Sequence, residues 1–215
     1  MSLPSILSLL KSEFWPPKLC LLIFEQILLQ NGYLEYQEDA STYQINPDTI
    51  CYYCGINNKD HNLNNKKDII NNKNDSASSS EYKKNECKEH TFYPATFITV
   101  TGKGAEDSAE IIPEEKKKIL DEVFNNFENK EGKFIKLILG SKVMNEGISL
   151  YNTSEVHILD VYFNFGRVDQ VIGRAIRWCS HYKQMSEANP LPYVNVYKYV
   201  VSVNKGLSTE EDLYN

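Results

Sequence analysis

The chain has 215 residues and a formal net charge of -6, enough for one α/β domain with appended segments. This acidic balance argues against a module that binds nucleic acid by bulk electrostatic attraction, so any such contact would have to be local. No run approaches the roughly 20 apolar residues of a membrane span, and Lys11 and Glu13 interrupt the N-terminal apolar residues, which argues against a signal peptide.

The N-terminal part of the chain is expected to be helical. Residues 3–13 are compatible with a short helix, which Pro16-Pro17 would end. The run from Leu19 to Leu29 is apolar nearly all round and stops at Asn31-Gly32, a typical helix C-terminus. It predicts a buried helix, with a β-strand as the alternative for residues 18–24.

Short apolar or β-branched runs predict the strands. They are Tyr33–Tyr36, Tyr43–Ile45, Thr96–Thr101, Phe134–Leu139, Val156–Leu159 and Val194–Val201. Between them, Pro113–Asn126 predicts an amphipathic helix with glutamates at its positive end, and Thr209–Asp212 is typical of a capped helix start. The alternation of strands and helices argues for an α/β fold with a largely parallel sheet, in which ligands meet the loops at the carboxyl ends of the strands.

Residues 57–89 change character sharply, because asparagine, lysine and serine dominate and apolar residues nearly vanish. Such a segment cannot bury enough surface to offset its ordering entropy. We therefore expect a low-complexity, disordered insertion within one domain.

A C-x-x-C-G pattern precedes this insertion, with a spacing that lets two thiolates reach one Zn²⁺ ion. Four ligands of a structural zinc site are expected among Cys51, Cys54, His61, Cys87 and His90. The alternative is that the cysteines pack as small hydrophobic residues. The chain has five cysteines, two of them in the C-x-x-C pattern, and this usage fits a reducing, intracellular compartment better than a disulfide framework.

The stretch from Val156 to His181 predicts a strand, a turn containing Asn164 and Gly166, and then a helix. The apolar residues of this helix fall at helical spacing and predict one stripe against a core. They are Val171, Ile172, Ala175 and Ile176.

Three polar residues of the same segment fall on one helical face, because Gln170, Arg174 and Arg177 are spaced four and three residues apart. Guanidinium groups stay protonated and offer a rigid fork of donors that suits phosphate oxygens. The pattern predicts a polyphosphate site. The alternative is a surface helix whose arginines pair with carboxylates.

Residues 134–181 resemble the last two conserved motifs of superfamily-2 helicases in order and spacing. LILGSKVMNEGISL is similar to the fifth motif and QVIGRAIR to the sixth. The resemblance is strongest to the nucleoside triphosphate phosphohydrolase and early transcription factor ATPases of nucleocytoplasmic large DNA viruses. It implies a three-layer, RecA-like helicase C-terminal lobe at 17–56 and 90–215, with residues 57–89 inserted, a zinc-knuckle-like loop, and residues 1–16 as an N-terminal remnant or helix. The strand that opens such a lobe should precede Leu19, yet PSILSLL matches it poorly.

The resemblance also implies roles for individual residues. Arg177 would be an arginine finger toward ATP bound by a first lobe, and Arg174 a second phosphate or interdomain contact. Further contacts to the nucleotide would come from Gln170, Glu146, Gly147 and Gly173. Contacts to nucleic acid would come from Ser141 and Lys142. The Mg²⁺ that accompanies ATP would be held mainly by the first lobe.

Walker A, D-E-x-H and S-A-T segments are absent from this sequence, so hydrolysis by this chain alone is not expected. The implied partners are a first RecA-like lobe in the same or a separate chain, DNA, and viral RNA polymerase, with no membrane. The implied setting is a viral transcription apparatus in the host cytoplasm or the virion. The alternatives are a catalytically inactive lobe that binds nucleic acid or polymerase, and a free-standing, zinc-stabilised interaction protein.

Overall fold

The computed structural model describes residues 5–8, 17–61, 90–102, 111–141, 144, 148–159, 165–177, 181–187 and 189–199. Six strands of this part form one sheet. They are β1 (Ser5–Ser8), β2 (Leu34–Glu35), β3 (Thr96–Val100), β4 (Leu137–Gly140), β5 (Glu155–Ile158) and β6 (Asn195–Lys198). The strand order is β2-β3-β4-β1-β5-β6, and each neighbouring pair is parallel. The predicted α/β class with a parallel sheet is confirmed.

Helices cover both faces of this sheet. They are α1 (Pro17–Gln30), α2 (Glu114–Ile119) and α3 (Phe165–Ala175), with short 3-10 helices at Ala40–Thr42, Phe127–Asn129 and Tyr182–Gln184. On one face, Leu21 of α1 packs with Phe97 and Leu139. On the other face, a larger core joins α2 and α3 to the central strands and includes Ile98, Ile119, Ile138, Val156 and Val171. This arrangement gives the three layers that the resemblance implied.

Strand β1 lies in the middle of the sheet, between β4 and β5. Ser5 pairs with Leu137 on one side and with Glu155 on the other. The helix predicted for residues 3–13 is therefore wrong at Ser5–Ser8, and these residues belong to the sheet rather than to a separate remnant. The four residues Ser-Ile-Leu-Ser carry too little periodicity to distinguish the two structures, whereas parallel neighbours on both sides satisfy the backbone of a strand.

Helix α1 forms where the sequence predicts it and ends at the predicted Asn31-Gly32. Gly32 has a φ of +81°, and the next residue, Tyr33, donates its backbone N–H to the carbonyl of Leu28 over 3.0 Å, which closes the helix end. The expected burial on all sides is wrong. Leu21 is buried, but the opposite side of the helix stays exposed at Leu19, Leu22, Ile23, Ile27 and Leu29. Within the described residues, no helix is both long and apolar enough to cross a membrane.

Two further sequence predictions need correction. Tyr43–Ile45, which the structure describes in full, forms no strand. The predicted Pro113–Asn126 helix is present as α2 but continues as a π-helical turn over Leu120–Phe124. Phe127 lies just past that turn and is 52% exposed. The predicted helix start at Thr209–Asp212 lies outside the described residues.

The turn between the π-helical turn and β4 is organised by the side chain of Asn129, which is fully buried. Its Oδ1 accepts the backbone N–H groups of Phe134 and Ile135 over 2.8 and 3.0 Å. Its Nδ2 donates to the carbonyls of Phe124 and Ile135, each over 3.1 Å. One side chain therefore satisfies four buried backbone groups and fixes the approach to β4.

Replacing Asn129 by alanine should lower the free energy of unfolding by about 2–4 kcal/mol, because these buried groups lose their partners. Urea unfolding followed by circular dichroism measures the change. Glu128→Ala, at an exposed position of the same turn, is the control and should change the value by less than about 0.5 kcal/mol. Equal stability of the Asn129→Ala variant and the wild type would contradict this role.

Candidate functional site

The carboxyl edge of the sheet brings the predicted phosphate-binding residues together. The segment 141–150 follows β4 at this edge, and α3 follows β5. In open α/β sheets, ligands bind in the crevice at this edge. Of the segment 141–150, the structure describes residues 141, 144 and 148–150.

Helix α3 presents one face to the core and one to solvent. Val168, Val171 and Ala175 are buried. Gln170 is exposed and Arg174, one turn later, is partly exposed. The predicted amphipathic helix is therefore confirmed in this part.

The boundaries of α3 differ from the prediction. The helix begins at Phe165, so Gly166 is helical and does not lie in a turn. Ile176 was expected on the buried stripe but is 48% exposed, because the helix ends at Ala175. Arg177 follows the helix end and is exposed.

Two hydrogen bonds join this helix end to the segment after β4. The guanidinium Nη1 of Arg177 donates to the hydroxyl of Ser149. The backbone N–H of Leu150 donates to the carbonyl of Arg174 over 3.0 Å. The segments that resemble the fifth and sixth helicase motifs are thus in direct contact.

Asn125 holds the Ser149 segment in place, and the sequence prediction missed it. Its Nδ2 donates to the carbonyl of Ser149 over 2.8 Å, and its Oδ1 accepts the N–H of Tyr151 over 2.8 Å. The next asparagine in the sequence, Asn126, accepts a bond from Asn152 through its carbonyl. Paired asparagines at the end of a predicted helix were the available signal, since such side chains favour bonds to nearby backbone.

Of the remaining predicted site residues on this edge, the structure describes Ser141. Ser141 is buried, and its hydroxyl has no hydrogen-bond partner within the described part of the chain. Its proposed contact with nucleic acid stays a prediction. Lys142, Glu146 and Gly147 lie outside the described residues.

A second cluster lies at the opposite edge of the sheet, where the chain enters β3. The ligand atoms of Cys51, Cys54, His61 and His90 all lie within 4.8 Å of one another. His90 Nε2 is 3.2 Å from Cys51 Sγ and 3.2 Å from His61 Nε2. These are four of the five residues predicted to bind metal, while Cys87 lies outside the described residues.

The backbone around Cys51 has the form expected of a metal knuckle. Gly55 N–H donates to the Cys51 carbonyl over 3.0 Å, and Gly55 has a φ of +70°. A positive φ favours glycine, which explains the glycine directly after the second cysteine. Cys51 itself forms an antiparallel bridge with Pro94, so the knuckle is attached to the chain entering β3.

The electrostatics of the cluster favour metal-binding protonation states. Burial raises the pKa of the Cys51 thiol, but hydrogen bonds with the backbone and with His90 outweigh burial and lower the pKa overall. Burial, followed by the nearby His90, lowers the pKa of His61. A lower pKa keeps more thiolate and more neutral imidazole, which are the forms that ligate metals.

Lys136 connects this cluster to the sheet. It precedes β4, is 7% exposed, and its ammonium donates to the carbonyl of Tyr52, between the two cysteines. Burial lowers the pKa of Lys136 to about 8, although Cys51 and Cys54 act to raise it.

Known proteins resemble this chain in the same segments. Residues 82–179 match the family described as helicase conserved C-terminal domain. Over 193 residues, or 89% of the chain, it is 54% identical to the protein of Acanthamoeba polyphaga mimivirus named "Putative ATP-dependent RNA helicase L377". Over 94 residues, or 42% of the chain, it is 35% identical to nucleoside triphosphatase I of Heliothis armigera entomopoxvirus. The chain spans 15% and 14% of the lengths of these relatives. The resemblance to helicase C-terminal domains of large DNA viruses is confirmed.

Gly173 lies inside α3, and a Cβ atom added there would meet nothing within 4 Å. Gly173→Ala should therefore raise the free energy of unfolding by about 0.5–1 kcal/mol, as expected for glycine replaced by alanine within a helix. Urea unfolding measures the change.

Gly140→Ala is the matched control, because its Cβ would collide with the buried side chain of Met144. It should lower stability by about 1–3 kcal/mol. A Gly173→Ala variant that is also destabilised would show that this glycine is required by the fold and not by a ligand.

Proposed function

We propose that this chain is the second RecA-like lobe of a nucleic-acid-stimulated ATPase, in which Arg177 and Arg174 reach the phosphates of an ATP bound by a first lobe. The match of residues 82–179 to the helicase conserved C-terminal domain supports the proposal. A transferring phosphoryl group spreads negative charge over three oxygens, and guanidinium groups stabilise that charge.

The observation that carries the proposal is the hydrogen bond from Arg177 to Ser149. It fixes an exposed guanidinium at the carboxyl edge of the sheet, where α/β folds bind ligands. A guanidinium is a rigid, planar group, so the bond to Ser149 orients its whole fork of N–H donors. Arg177 would serve as the finger, and Arg174 as a second contact to phosphate or to the first lobe.

Other residues would line the same cleft between the lobes. Gln170 is exposed and lies one helical turn before Arg174 on α3. Gly173 has no side chain and no neighbouring atom within 4 Å of an added Cβ, which leaves space for a close approach by the nucleotide. Glu146 and Gly147 belong to the proposed nucleotide contacts through the resemblance alone. ATP and Mg²⁺ would be held mainly by the first lobe, and closure of the cleft would complete the site.

Nucleic acid is proposed to contact the segment that follows β4, through Ser141 and Lys142. The net charge of -6 supports a local contact of this kind rather than a broad basic surface. The mimivirus relative is named as an RNA helicase. DNA and RNA therefore both need to be tested as stimulating strands.

The setting that we propose is the transcription apparatus of a large DNA virus, with viral RNA polymerase as a further partner, in the host cytoplasm or the virion. The support for this step is the likeness to viral helicases and to a viral nucleoside triphosphatase.

The proposal predicts that Arg177→Ala lowers ATP hydrolysis roughly 1,000-fold when the chain is combined with a first lobe, because the transition state loses its arginine finger. Ser149→Ala retains the guanidinium but releases its orienting bond, so a loss of roughly 10-fold is expected. Phosphate release in the presence of DNA or RNA measures both rates.

Lys198→Ala removes an exposed cation from β6 and is the matched control, which should hydrolyse ATP at the wild-type rate. Arg177→Lys should remain impaired, because an ammonium lacks the planar fork. Equal rates for the wild type and Arg177→Ala would contradict the finger assignment. Binding of DNA or RNA without any ATP hydrolysis would instead support an inactive lobe that serves as a binding module.

A further inference from the structure

We propose that Cys51, Cys54, His61 and His90 bind one Zn²⁺ ion in a closed site that joins the two chain segments on either side of residues 62–89 and attaches them to the sheet. The site lies apart from Arg177 and does not depend on ATP chemistry. Its evidence is the convergence of four ligand side chains from two segments of the chain.

The distances between the ligand atoms fit tetrahedral coordination of Zn²⁺ if the cluster contracts modestly. Bonds of roughly 2.3 Å to sulfur and 2.0–2.1 Å to nitrogen give edges of about 3.3–3.8 Å between ligand atoms. His90 Nε2 already lies 3.2 Å from both Cys51 Sγ and His61 Nε2. The widest separation in the cluster is 4.8 Å, so the outer ligands need to move inward by about 1 Å.

The ligand types select zinc over the common hard cations. Two thiolates and two imidazoles suit Zn²⁺, whereas Ca²⁺ and Mg²⁺ require oxygen ligands. Two thiolate charges cancel the charge of the ion, so the complete site is neutral and can be buried at low cost. Cys51 is fully buried and His61 is 3% exposed, in agreement with such a site.

The two histidines also point to a metal. Their Nε2 atoms face each other at 3.2 Å, an arrangement in which a shared ion satisfies both lone pairs. On its other side, His61 Nδ1 is buried and has no hydrogen-bond partner within the described residues. A bond from Nε2 to the ion would add to the packing of this ring against Phe92, whose ring centroid lies 5.4 Å away.

The site is structural because protein ligands fill all four positions and leave none for a reactive water. Its ligands flank the insertion, since His61 precedes it and His90 follows it. One ion would therefore join two histidines that are separated by 28 residues of sequence, and the entropic cost of such a closure grows only slowly with length.

The ion would also anchor the loop to the core of the domain. Tyr52, between the two cysteines, accepts a bond from Lys136 and donates its N–H to Tyr93 over 2.9 Å. Lys136 precedes β4, and Tyr93 precedes β3. The metal centre is thereby tied to two adjacent strands of the sheet.

The test measures metal content and affinity in the 215-residue chain, purified under reducing conditions. Elemental analysis should give about one zinc per chain. Competition with a chromophoric chelator should show that Cys51→Ser, Cys54→Ser, His61→Asn and His90→Asn each weaken zinc binding roughly 100-fold or more. Cobalt substitution should give the visible absorption of a tetrahedral thiolate and imidazole site.

Two matched controls separate this ligand set from the alternatives. Cys87→Ser alters the other candidate ligand, and Cys20→Ser alters a cysteine of α1; both should bind zinc with wild-type affinity. If a ligand variant does not fold, a chain in which residues 62–89 are replaced by a short Gly-Ser linker decides the matter, because it keeps all four proposed ligands and should still bind one zinc.

Removal of zinc with a chelator should lower the melting temperature of the wild type and of Cys87→Ser. Three outcomes would overturn the proposal: a wild-type protein without metal under reducing conditions, loss of zinc in Cys87→Ser with retention in His90→Asn, or a linker variant that no longer binds zinc.

Discussion

The parallel pairing of β1 with β4 on one side and β5 on the other is the constraint on which the candidate site depends. Because all three strands run in the same direction, the segments that leave β4 and β5 emerge at the same edge. The 141–150 segment and α3 are thereby brought to one side of the molecule. Among the described strands, β1 is the one that joins β2, β3 and β4 to β5 and β6 by backbone hydrogen bonds.

From that edge, a short chain of hydrogen bonds leads to Arg177. The π-helical turn is followed by Asn125, whose side chain binds the backbone on both sides of Leu150. Ser149 is fixed by this contact and in turn accepts the bond from Arg177. π-helical turns are frequent at functional sites, and here the turn ends directly before Asn125. The arginine is oriented by residues far from it in sequence.

The cluster of Cys51, Cys54, His61 and His90 contacts the same sheet at its other end. Cys51 is bridged to Pro94, and Lys136 links the cluster to the entry of β4. In the proposed zinc site, ligands on both sides of the predicted insertion would join the two chain segments without burying additional apolar surface.

The sequence by itself determined the fold class, α1 and most strands, and it named five candidates for the Cys/His cluster, of which the structure brings four together, because helical periodicity, C-x-x-C spacing and glycine signals are local properties. It also placed Gln170 and Arg174 on one helical face. The tertiary structure alone decided that Ser5–Ser8 is a central strand, that α1 buries one side, and that His61 and His90 approach Cys51. It also decided that Asn125 and Ser149 hold Arg177. Each of these depends on pairing between residues distant in the chain, and no local pattern of four to ten residues records such a partner.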